Sequence, residues 1–568
     1  MQGLPFGRHV HGAQELRHIQ KYVEVTGTAR HISDGDSPAQ RINQRFLETT
    51  MRYFNVAGPC NKADHYMIDA STRLKGVEQL IDRNRYFVIH AARQSGKTTY
   101  LKDLTDRLNN EKKYYALYCS LESLQGVVES EKGIPQVVKT VKNALRFSDF
   151  PGVTGFADDA DYSDFTGVLT TEFTLFCKSL DKPLVVLFDE ADCLSESTLI
   201  SFLRQLRMGY NNRNNTPFIH SVTLVGMRNI RDNKVKTRPE SQSLGSASPF
   251  NIVAESLTLN NFTKEELSGL YRQHTEETGQ RFEENAIDLI FRQTQGQPWL
   301  VNAIACEVIE KMLESNYTKP VTAESAEQAI QTIILRRDTH IDSLLERLKE
   351  ERVRRVIEPV ISGEDFFERL SDDYQYVRDL GLISDTDGKM EPANPIYGEV
   401  IARTLTYEMQ QKLLQSKPSL DLPRYIKDGR IDMDCLLKEF QEFWRENGEI
   451  WKEKTAYREA APQLILMAFL QRVLNGGGRI HREFAAGTGR ADICVEYDGR
   501  KYPIELKIRR NEKTLAEGME QILGYMETLG CAEGWLALFD QRKKTRWDTK
   551  LYLKKKKSGN KTVTIVGL

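Results

Sequence analysis

The sequence of 568 residues lacks several features that would restrict its class at once. Its eight cysteines are scattered, with no C-x-x-C pair and no histidine at zinc-ligand spacing, which argues against a disulfide framework or a structural zinc site. No apolar run approaches the roughly 20 residues that span a bilayer, and the first residues lack the apolar core of a signal peptide. There is no internal repeat and no low-complexity tract. These absences predict a cytoplasmic protein without a membrane partner.

Charge is nearly balanced over the whole chain but unevenly distributed. The formal net charge is −1, and 40% hydrophobic with 28% charged residues is ordinary for a globular protein of three or four domains. A balanced total argues against a surface that binds nucleic acid throughout. From Arg500 onward, however, basic residues outnumber acidic ones about two to one, ending in the run Lys554–Lys557. This basic lobe suits contacts with a phosphate backbone, although the lysine run alone could equally be a solvated tail.

A phosphate-binding loop is indicated early in the chain. The apolar stretch 86–91 is typical of a buried strand, and a helical pattern starts at Tyr100. Between them the sequence fits G-x-x-x-x-G-K-[ST], except that Ala91 replaces the first glycine. In such a loop backbone N–H groups surround the β-phosphate, the lysine neutralises the β- and γ-phosphate oxygens, and the next hydroxyl reaches Mg²⁺. The predicted nucleotide-binding residues of the loop are Arg93, Gln94, Ser95, Gly96, Lys97, Thr98 and Thr99.

A second apolar run carries the acids that such a loop requires. Residues 183–188 are typical of a buried strand and are followed by Asp189 and Glu190. Asp189 would join Thr98 in the Mg²⁺ shell, and Glu190 would be the catalytic acid near the attacking water. The alternative is a pair of helix-capping acids. Together with the upstream lysine, the pattern predicts ATP and Mg²⁺ as cofactors.

Further strands are indicated at 113–119 and 221–226, with helical segments between them, which predicts an α/β fold with a parallel sheet. Arg228 and Arg231 follow the second of these strands. The carboxyl ends of the strands face the nucleotide in such folds, so either arginine could bind the γ-phosphate, and we take Arg228 as the candidate. Either could equally be a surface arginine.

Two helix-start signals follow the predicted sheet. Residues 261–266 have a capping-box pattern, and 296–298 read Gly-Gln-Pro at a helix start. With the P-loop and the Asp-Glu strand, this set resembles the AAA/STAND-type ATPases over about 53–313. The resemblance implies a helical lid whose Gly-x-Pro links the nucleotide state to the next domain, and we expect a homo-oligomer. Three arginines of the helix 199–213 could reach a neighbouring subunit's nucleotide or simply be solvated: Arg204, Arg207 and Arg213.

The region from 321 to 415 is mostly helical and contains a hairpin signal. Residues 372–385 are typical of a helix running into a strand, and Asp387-Gly388 is a preferred two-residue turn. Helices followed by a small hairpin suggest a winged-helix module, similar to those that follow Gly-x-Pro lids. Such a module would either bind DNA or clamp the ATPase. A linker at 418–423 and an amphipathic helix at 436–451 then lead into the last domain.

The most informative part of the chain is a second hairpin signal at Asp498-Gly499. Pairing outward from this turn sets Tyr497 opposite Arg500 and Asp492 opposite Glu505. Two carboxylates directly across a hairpin lie roughly 5 Å apart and repel each other. A divalent cation between them, Mg²⁺ or Mn²⁺, would offset that repulsion.

Lys507 lies two residues beyond Glu505 and therefore projects from the same face of the strand. Two acids and a lysine around a metal are what phosphodiester hydrolysis requires. The metal orients and acidifies a water, and the ammonium group stabilises charge on the phosphate. An acid-x-lysine triplet is common by chance, so the register that joins it to Asp492 is what makes the signal specific. The pattern predicts a nuclease centre.

The segments around this hairpin extend the prediction. Gln521 and Tyr525 lie four residues apart on a predicted helix, so they share a face and could contact phosphate oxygens. The order helix, three strands, helix, strand over about 456–568 resembles the PD-(D/E)XK nuclease superfamily, most of all its RecB-type branch. The resemblance implies that Asp492, Glu505 and the helical acid Glu459 bind the metal. Lys507 would be catalytic together with Asp492 and Glu505. Gln521 and Tyr525 would contact the DNA backbone.

The sequence thus predicts an α/β protein in which an ATPase controls a nuclease. The predicted parts are a loosely ordered leader at 1–50, a P-loop ATPase core at 51–260, a helical lid at 261–320, a winged-helix-like region at 321–415, a linker and docking helix at 416–445, and a PD-(D/E)XK nuclease at 446–568. Expected partners are DNA, further copies of the chain and a regulatory protein, and the family-level analogy is defence against phage or mobile DNA. The alternatives are a signalling or scaffold ATPase whose last domain only binds DNA or partners, and a DNA repair or recombination motor.

Overall fold

A computed structural model of the chain describes most of its length. The described residues are 51–148, 150, 156, 164–226, 253–336, 339–361, 371–386, 389–416, 422–454, 465–470, 479–486, 489–509, 513–540 and 547–568. The chain divides into two compact units, Met1–Arg52 and Tyr53–Leu568, and every element below belongs to the second. The predicted leader at 1–50 lies outside the described residues.

A five-stranded parallel sheet forms the centre of the first half. Its strands are β1 (Tyr86–His90), β2 (Tyr115–Ser120), β3 (Leu184–Asp189), β4 (Ser221–Gly226) and β5 (Val253–Thr258). They lie in the order β2-β3-β4-β1-β5, with every neighbouring pair parallel. The four predicted strands are confirmed. The fifth was missed because β5 lies at the edge of the sheet and is mostly exposed, so its sequence lacks a continuous apolar run.

Helices cover both faces of this sheet. The helices are α1 (Val77–Asp82), α2 (Lys97–Asn110), α3 (Ser130–Arg146), α4 (Val168–Ser179) and α5 (Glu196–Asn212). Side chains of α1 and α2 pack with one face of β3, and those of α3, α4 and α5 pack with the other. The central strands β3 and β4 are buried on both sides, as expected for a parallel sheet.

A helical segment follows the sheet where the lid was predicted, and it is called the lid below. It contains α6 (Lys264–Thr278), α7 (Glu284–Thr294) and α8 (Pro298–Cys306), which continues as a π-helix (Glu307–Met312), and α9 (Ala323–Arg336) packs against α7 and α8. The predicted capping box is confirmed, because Thr263 and Glu266 exchange side chain–backbone hydrogen bonds at the start of α6. Pro298 occupies the first turn of α8, where its missing N–H costs no hydrogen bond.

The next region combines helices with a small hairpin. Its elements are α10 (Thr339–Arg347), α11 (Glu351–Ile361), α12 (Asp372–Asp379), β6 (Ile383–Thr386), β7 (Lys389–Pro392) and α13 (Pro395–Ser416). Strands β6 and β7 are antiparallel, as predicted, and their turn lies outside the described residues. Helix α13 extends to the point where the linker was predicted to begin, and the linker itself lies mostly outside the described residues.

The last part of the chain is built on a six-stranded mixed sheet. A short ribbon of β8 (Ile426–Lys427) and β9 (Arg430–Ile431) and the long helix α14 (Met433–Lys454) lead into it. The sheet consists of β10 (Arg479–Ala486), β11 (Gly489–Tyr497), β12 (Arg500–Arg509), β13 (Glu533–Asp540), β14 (Tyr552–Ser558) and β15 (Lys561–Gly567). The two remaining labelled helices are α15 (Lys513–Leu529) and α16 (Trp547–Lys550), and residues 465–470 are also helical.

In this sheet the strand order is β10-β11-β12-β13-β15-β14. The first three strands form an antiparallel meander, β12, β13 and β15 are parallel, and β14 runs antiparallel to β15. Side chains of α14 and of 465–470 pack on one face of the sheet, whereas α15 packs on the other. Among the helices that the structure describes, none combines the length and apolarity that a bilayer crossing requires.

Candidate functional site

The loop between β1 and α2 has the backbone shape of a phosphate cradle. Gln94 and Gly96 adopt left-handed conformations, with φ of 56° and 89°. Gly96 is the N-cap of α2, so the first N–H groups of the helix face the loop. The N-terminus of a helix favours negative charge, and these groups can bind phosphate oxygens.

Lys97 points back into this loop. Its side chain is buried, and Nζ donates to the carbonyl oxygens of Ala91 and Ala92 at 3.0 and 2.9 Å. Burial lowers the pKa of Lys97, while Glu190, Asp192 and Asp189 act in the opposite direction. A phosphate oxygen offers the ammonium group a better partner than a neutral carbonyl, since hydrogen bonds between ions are stronger.

The residues predicted to bind Mg²⁺ are brought together. Thr98 Oγ1 donates to Asp189 Oδ2 at 2.7 Å, and the backbone N–H of Glu190 donates to Asp189 Oδ1 at 3.0 Å. Burial raises the pKa of the Glu190 carboxyl, opposed by Lys97. A hydroxyl and a carboxylate beside a phosphate cradle are the oxygen ligands that Mg²⁺ prefers, so these residues fit the predicted cofactors.

Two residues that sequence reasoning missed also belong to this centre. The Tyr118 hydroxyl donates to Asp189 Oδ2 at 3.0 Å. Arg73 donates to the carbonyl oxygen of Ser95 at 3.2 Å and to that of Asn260, and its guanidinium lies over the Phe262 ring. Burial lowers the pKa of Arg73 to about 10. Tyr118 could have been found from its place near the carboxyl end of a parallel strand, whereas no sequence signal marks Arg73.

The lid and the following helices touch the same loop. Gln297 Nε2 donates to the Gln94 carbonyl at 3.3 Å. Gly381, at the end of α12, is so close that a β-carbon on it would lie 2.4 Å from the Ala92 β-carbon. The P-loop therefore contacts two later parts of the chain directly.

Three of the arginines predicted to reach a nucleotide are described in the structure, and two are not. Arg213 donates to the Asn84 carbonyl at 2.8 Å and stacks on Tyr210, so it serves its own fold. Arg204 is exposed and Arg207 is half-buried. Arg228 and Arg231 lie outside the described residues.

The parallel sheet, the P-loop and the Asp-Glu strand define a P-loop ATPase. The chain belongs to the AAA-like domain family, whose model matches residues 59–403. A separate model, a domain of unknown function (DUF8371), matches residues 437–543. No curated protein matches the chain significantly.

Several solved structures are similar to part of this chain. A Walker-type ATPase of Pyrococcus abyssi is 15% identical, with 61% of this chain and 99% of that chain covered and a TM-score of 0.46. The RuvB Holliday junction branch migration motor of Thermotoga maritima is 12% identical, with 57% and 89% covered and a TM-score of 0.31. The ORC2 protein of Aeropyrum pernix is 14% identical, with 60% and 92% covered and a TM-score of 0.33. The assignment rests on the family match and on the geometry of the loop.

In the C-terminal sheet the predicted hairpin register is confirmed. Tyr497 pairs with Arg500, and the ladder continues to Ile493 opposite Ile504. Both turn residues have positive φ, as a two-residue hairpin turn requires. Asp492 and Glu505 occupy the next positions on the two strands, and the side chain of Asp492 lies outside the described part of the chain.

Glu505 and Lys507 lie together on one face of β12. Glu505 is only 1% exposed, and its Oε1 lies 2.7 Å from Nζ of Lys507. Helix α15 can approach this face closely because Gly518 has no side chain, and a β-carbon there would lie 3.1 Å from Lys507 Cγ. Gln521 is one turn farther along the same helix and exposed, while Tyr525 is half-buried and packs against the core under α15.

No group of three metal-ligating side chains occurs among the described residues, which include neither the Asp492 side chain nor Glu459. Of the predicted nuclease residues, Glu505 and Lys507 lie together in the structure. Gln521 lies one helical turn beyond Gly518, where α15 approaches Lys507.

The lysine run at 554–557 is a strand and not a tail. It lies in β14, at the edge of the sheet, and Lys555 forms an ion pair with Asp434 of α14 at 2.6 Å. Exposed lysines also keep an edge strand from pairing with other chains. Lys554, Lys556 and Lys557 are exposed.

Proposed function

We propose that this protein hydrolyses ATP and is also a divalent-metal-dependent DNA nuclease, with the nucleotide state controlling cleavage. The observation that carries the proposal is the buried Glu505 carboxylate paired with Lys507, one position beyond the Ile493–Ile504 pair of the β11–β12 ladder, where Asp492 is the next residue of β11. Two carboxylates on neighbouring strands repel each other, and a divalent metal between them offsets that repulsion.

The nucleotide half of the proposal assigns a role to each residue around the cradle. Backbone N–H groups of Gln94 to Lys97 hold the β-phosphate, and the Lys97 ammonium exchanges two carbonyl oxygens for phosphate oxygens. Thr98 and Asp189 hold Mg²⁺. Glu190, whose carboxyl has a raised pKa, orients the attacking water.

The nuclease half follows from the strand register. Asp492 and Glu505 hold Mg²⁺ or Mn²⁺, with Glu459 as the helical acid. With a metal bound, the Glu505 charge would be shared with the metal, and the Lys507 ammonium would be available to the attacking water or the phosphate. Gln521 contacts the DNA backbone from α15. The arrangement of strands and helices supports this assignment, since a meander of β10, β11 and β12 followed by α15 and a parallel β13 is the order that the PD-(D/E)XK resemblance implies.

Control of one half by the other is supported by contacts at the P-loop. Gln297 of the lid bonds to Gln94, and Gly381 lies against Ala92 at the start of the hairpin that we assign to a winged-helix module. A change of the loop on nucleotide binding would act on these later segments through the two contacts. In this proposal the module acts as a clamp on the ATPase, and assembly with further copies of the chain completes the cycle.

The experiment uses the full chain with Mg²⁺ or Mn²⁺ on linear, circular and single-stranded DNA, with and without ATP. Wild type is compared with Lys97→Ala and Asp492→Ala. Cleavage is expected only with metal, is lost in Asp492→Ala, and no longer responds to ATP in Lys97→Ala. Equal cleavage by all three proteins contradicts the nuclease assignment, and a wild-type rate that ignores ATP contradicts the control by nucleotide.

A defence role can be tested with the same variants. If the substrate is invading DNA, cells that make the protein restrict phage plating, and both variants lose restriction. Restriction by Asp492→Ala at the wild-type level contradicts a role for cleavage in defence.

A further inference from the structure

Tyr118 lies close to the magnesium residues but has no place in the P-loop motif. It is on β2, two residues before the position that pairs with Asp189 of β3. Tyr118 and Asp189 both project toward α2, because alternate residues of a strand share a face and their neighbours Ala116 and Leu187 pack with that helix. Thr98, in the first turn of α2, completes the group.

The carboxylate of Asp189 is fixed by three donors. Oδ1 accepts from the Glu190 N–H at 3.0 Å, while Oδ2 accepts from Thr98 at 2.7 Å and from Tyr118 at 3.0 Å. Asp189 is only 1% exposed, so these protein groups take the place of water around it.

We propose that Tyr118 is a positioning residue for the metal–nucleotide complex, holding the Asp189 carboxylate in the orientation that binds Mg²⁺ together with ATP. The proposal rests on the assignment of the P-loop as an ATP site.

The physical reason is that hydrogen-bond donors to Asp189 Oδ2 fix the orientation of this carboxylate. The terminal torsion of an aspartate is soft, so its orientation depends on its hydrogen bonds. Thr98 must share its hydroxyl between Asp189 and the metal, which leaves Tyr118 as the donor to Oδ2 that has no second duty at the metal.

A purely structural role for Tyr118 is the competing explanation, and the same strand provides a control. Tyr115, at the other end of β2, donates to Asp181 Oδ1 at 2.8 Å. Removal of either hydroxyl breaks one tyrosine–aspartate hydrogen bond. Only the bond of Tyr118 lies at the magnesium residues.

The test measures the affinity of a fluorescent ATP analogue for the full chain, once in Mg²⁺ and once in EDTA. Wild type is expected to bind more tightly in Mg²⁺. In Tyr118→Phe the affinity in EDTA stays within about twofold of wild type, whereas the tightening by Mg²⁺ falls about tenfold, as expected for one lost hydrogen bond to a charged group. Tyr115→Phe keeps the full tightening.

Three further results decide the matter. A wild-type Mg²⁺ effect in Tyr118→Phe overturns the proposal, as does an equal loss in Tyr115→Phe. A wild-type chain that binds no analogue in either condition overturns the ATP site itself, which is a different failure.

Should Tyr118→Phe not fold, Tyr118→Leu also removes the hydroxyl and carries the same expectation. In an Asp189→Asn background, Tyr118→Phe is expected to add no further loss, since the carboxylate that it orients is absent.

Discussion

Gly381 and Ala92 touch across the boundary between the hairpin region and the P-loop. A β-carbon on Gly381, which has a φ of 74°, would come within 2.4 Å of the Ala92 β-carbon. Only glycine fits both the left-handed conformation and the space. This close approach links the nucleotide loop directly to a segment that follows the lid.

Replacing Gly381 by alanine is expected to lower the free energy of unfolding by more than the backbone strain alone, because the new β-carbon would also overlap Ala92. Gly279 supplies a matched control, because it also follows a helix with a positive φ of 78° but has open space around it. Gly279→Ala is expected to lower the free energy of unfolding by about 1 kcal/mol, and Gly381→Ala by about 3 kcal/mol. Denaturant unfolding of both variants provides the comparison, and equal losses would show that the contact with Ala92 is unimportant.

Lys507 is expected to stabilise the metal-free protein by neutralising Glu505. In EDTA, Lys507→Met should lower the free energy of unfolding by about 2 kcal/mol, because it leaves a buried carboxylate without its ammonium partner. Added Mn²⁺ should recover much of this loss, since the metal supplies the missing charge. Lys556→Met, an exposed lysine of β14, is the control and should change little. A variant as stable as wild type in EDTA would contradict this account of the pair.

His340 should make the protein less stable in mild acid. Its ring packs against Trp299 of the lid and Nε2 lies 2.5 Å from the Tyr397 hydroxyl, so it joins the lid to α13. Burial lowers the pKa of His340 to about 4, with Arg93 acting in the same direction. The unfolded chain takes up a proton near its ordinary pKa of about 6.5 and the folded protein does not, so stability falls as the pH drops from there.

The loss due to His340 is expected to reach about 3 kcal/mol at most near pH 4, with no contribution above about pH 7. Thermal unfolding of wild type and His340→Gln across this range measures the difference in slope. The variant should lose less stability on acidification. Parallel curves for the two proteins would rule out a neutral, buried His340.

Asp434 is expected to hold α14 on the C-terminal sheet. Burial alone would raise the pKa of its carboxyl, but hydrogen bonds from Lys555 and Trp535 outweigh burial and lower it. Because the folded pKa lies below the unfolded one, the stabilisation is complete above the unfolded value of about 3.9 and disappears as the pH falls through the folded value. Asp434→Asn should therefore cost about 1 kcal/mol at pH 7 and less below pH 3. A double-mutant cycle with Lys555→Met measures the coupling, and additive losses would contradict it.

Features encoded by local sequence were predictable. The P-loop depends on a glycine, a lysine and a hydroxyl in one short segment, and the β11–β12 register follows from a turn whose two residues, Asp498 and Gly499, both accept positive φ. Local spacing was therefore enough to place Glu505 and Lys507 on one face. The contact of Thr98 with Asp189 joins distant segments and was predicted from the roles that these residues have in a P-loop site.

Features that depend on contacts between distant segments were not predictable. Arg73 reaches the P-loop carbonyl of Ser95 from a segment without a motif, and Tyr118 meets Asp189 only because β2 and β3 are neighbours in the sheet. The strand at 552–558 was missed for a different reason. An edge strand with lysines on both faces lacks the alternation of apolar and polar residues that usually marks a strand.

The central claim is that Glu505 belongs to a metal-dependent cleavage centre. The most direct test is the initial rate of DNA cleavage by the full chain in Mg²⁺ or Mn²⁺, with wild type beside Glu505→Gln and the control Glu496→Gln, a residue of β11 outside the proposed centre. The account predicts a metal-dependent rate that falls about 100-fold or more in Glu505→Gln and is retained in the control. Cleavage by Glu505→Gln at the wild-type rate, or no cleavage by wild type on any DNA with either metal, would contradict it.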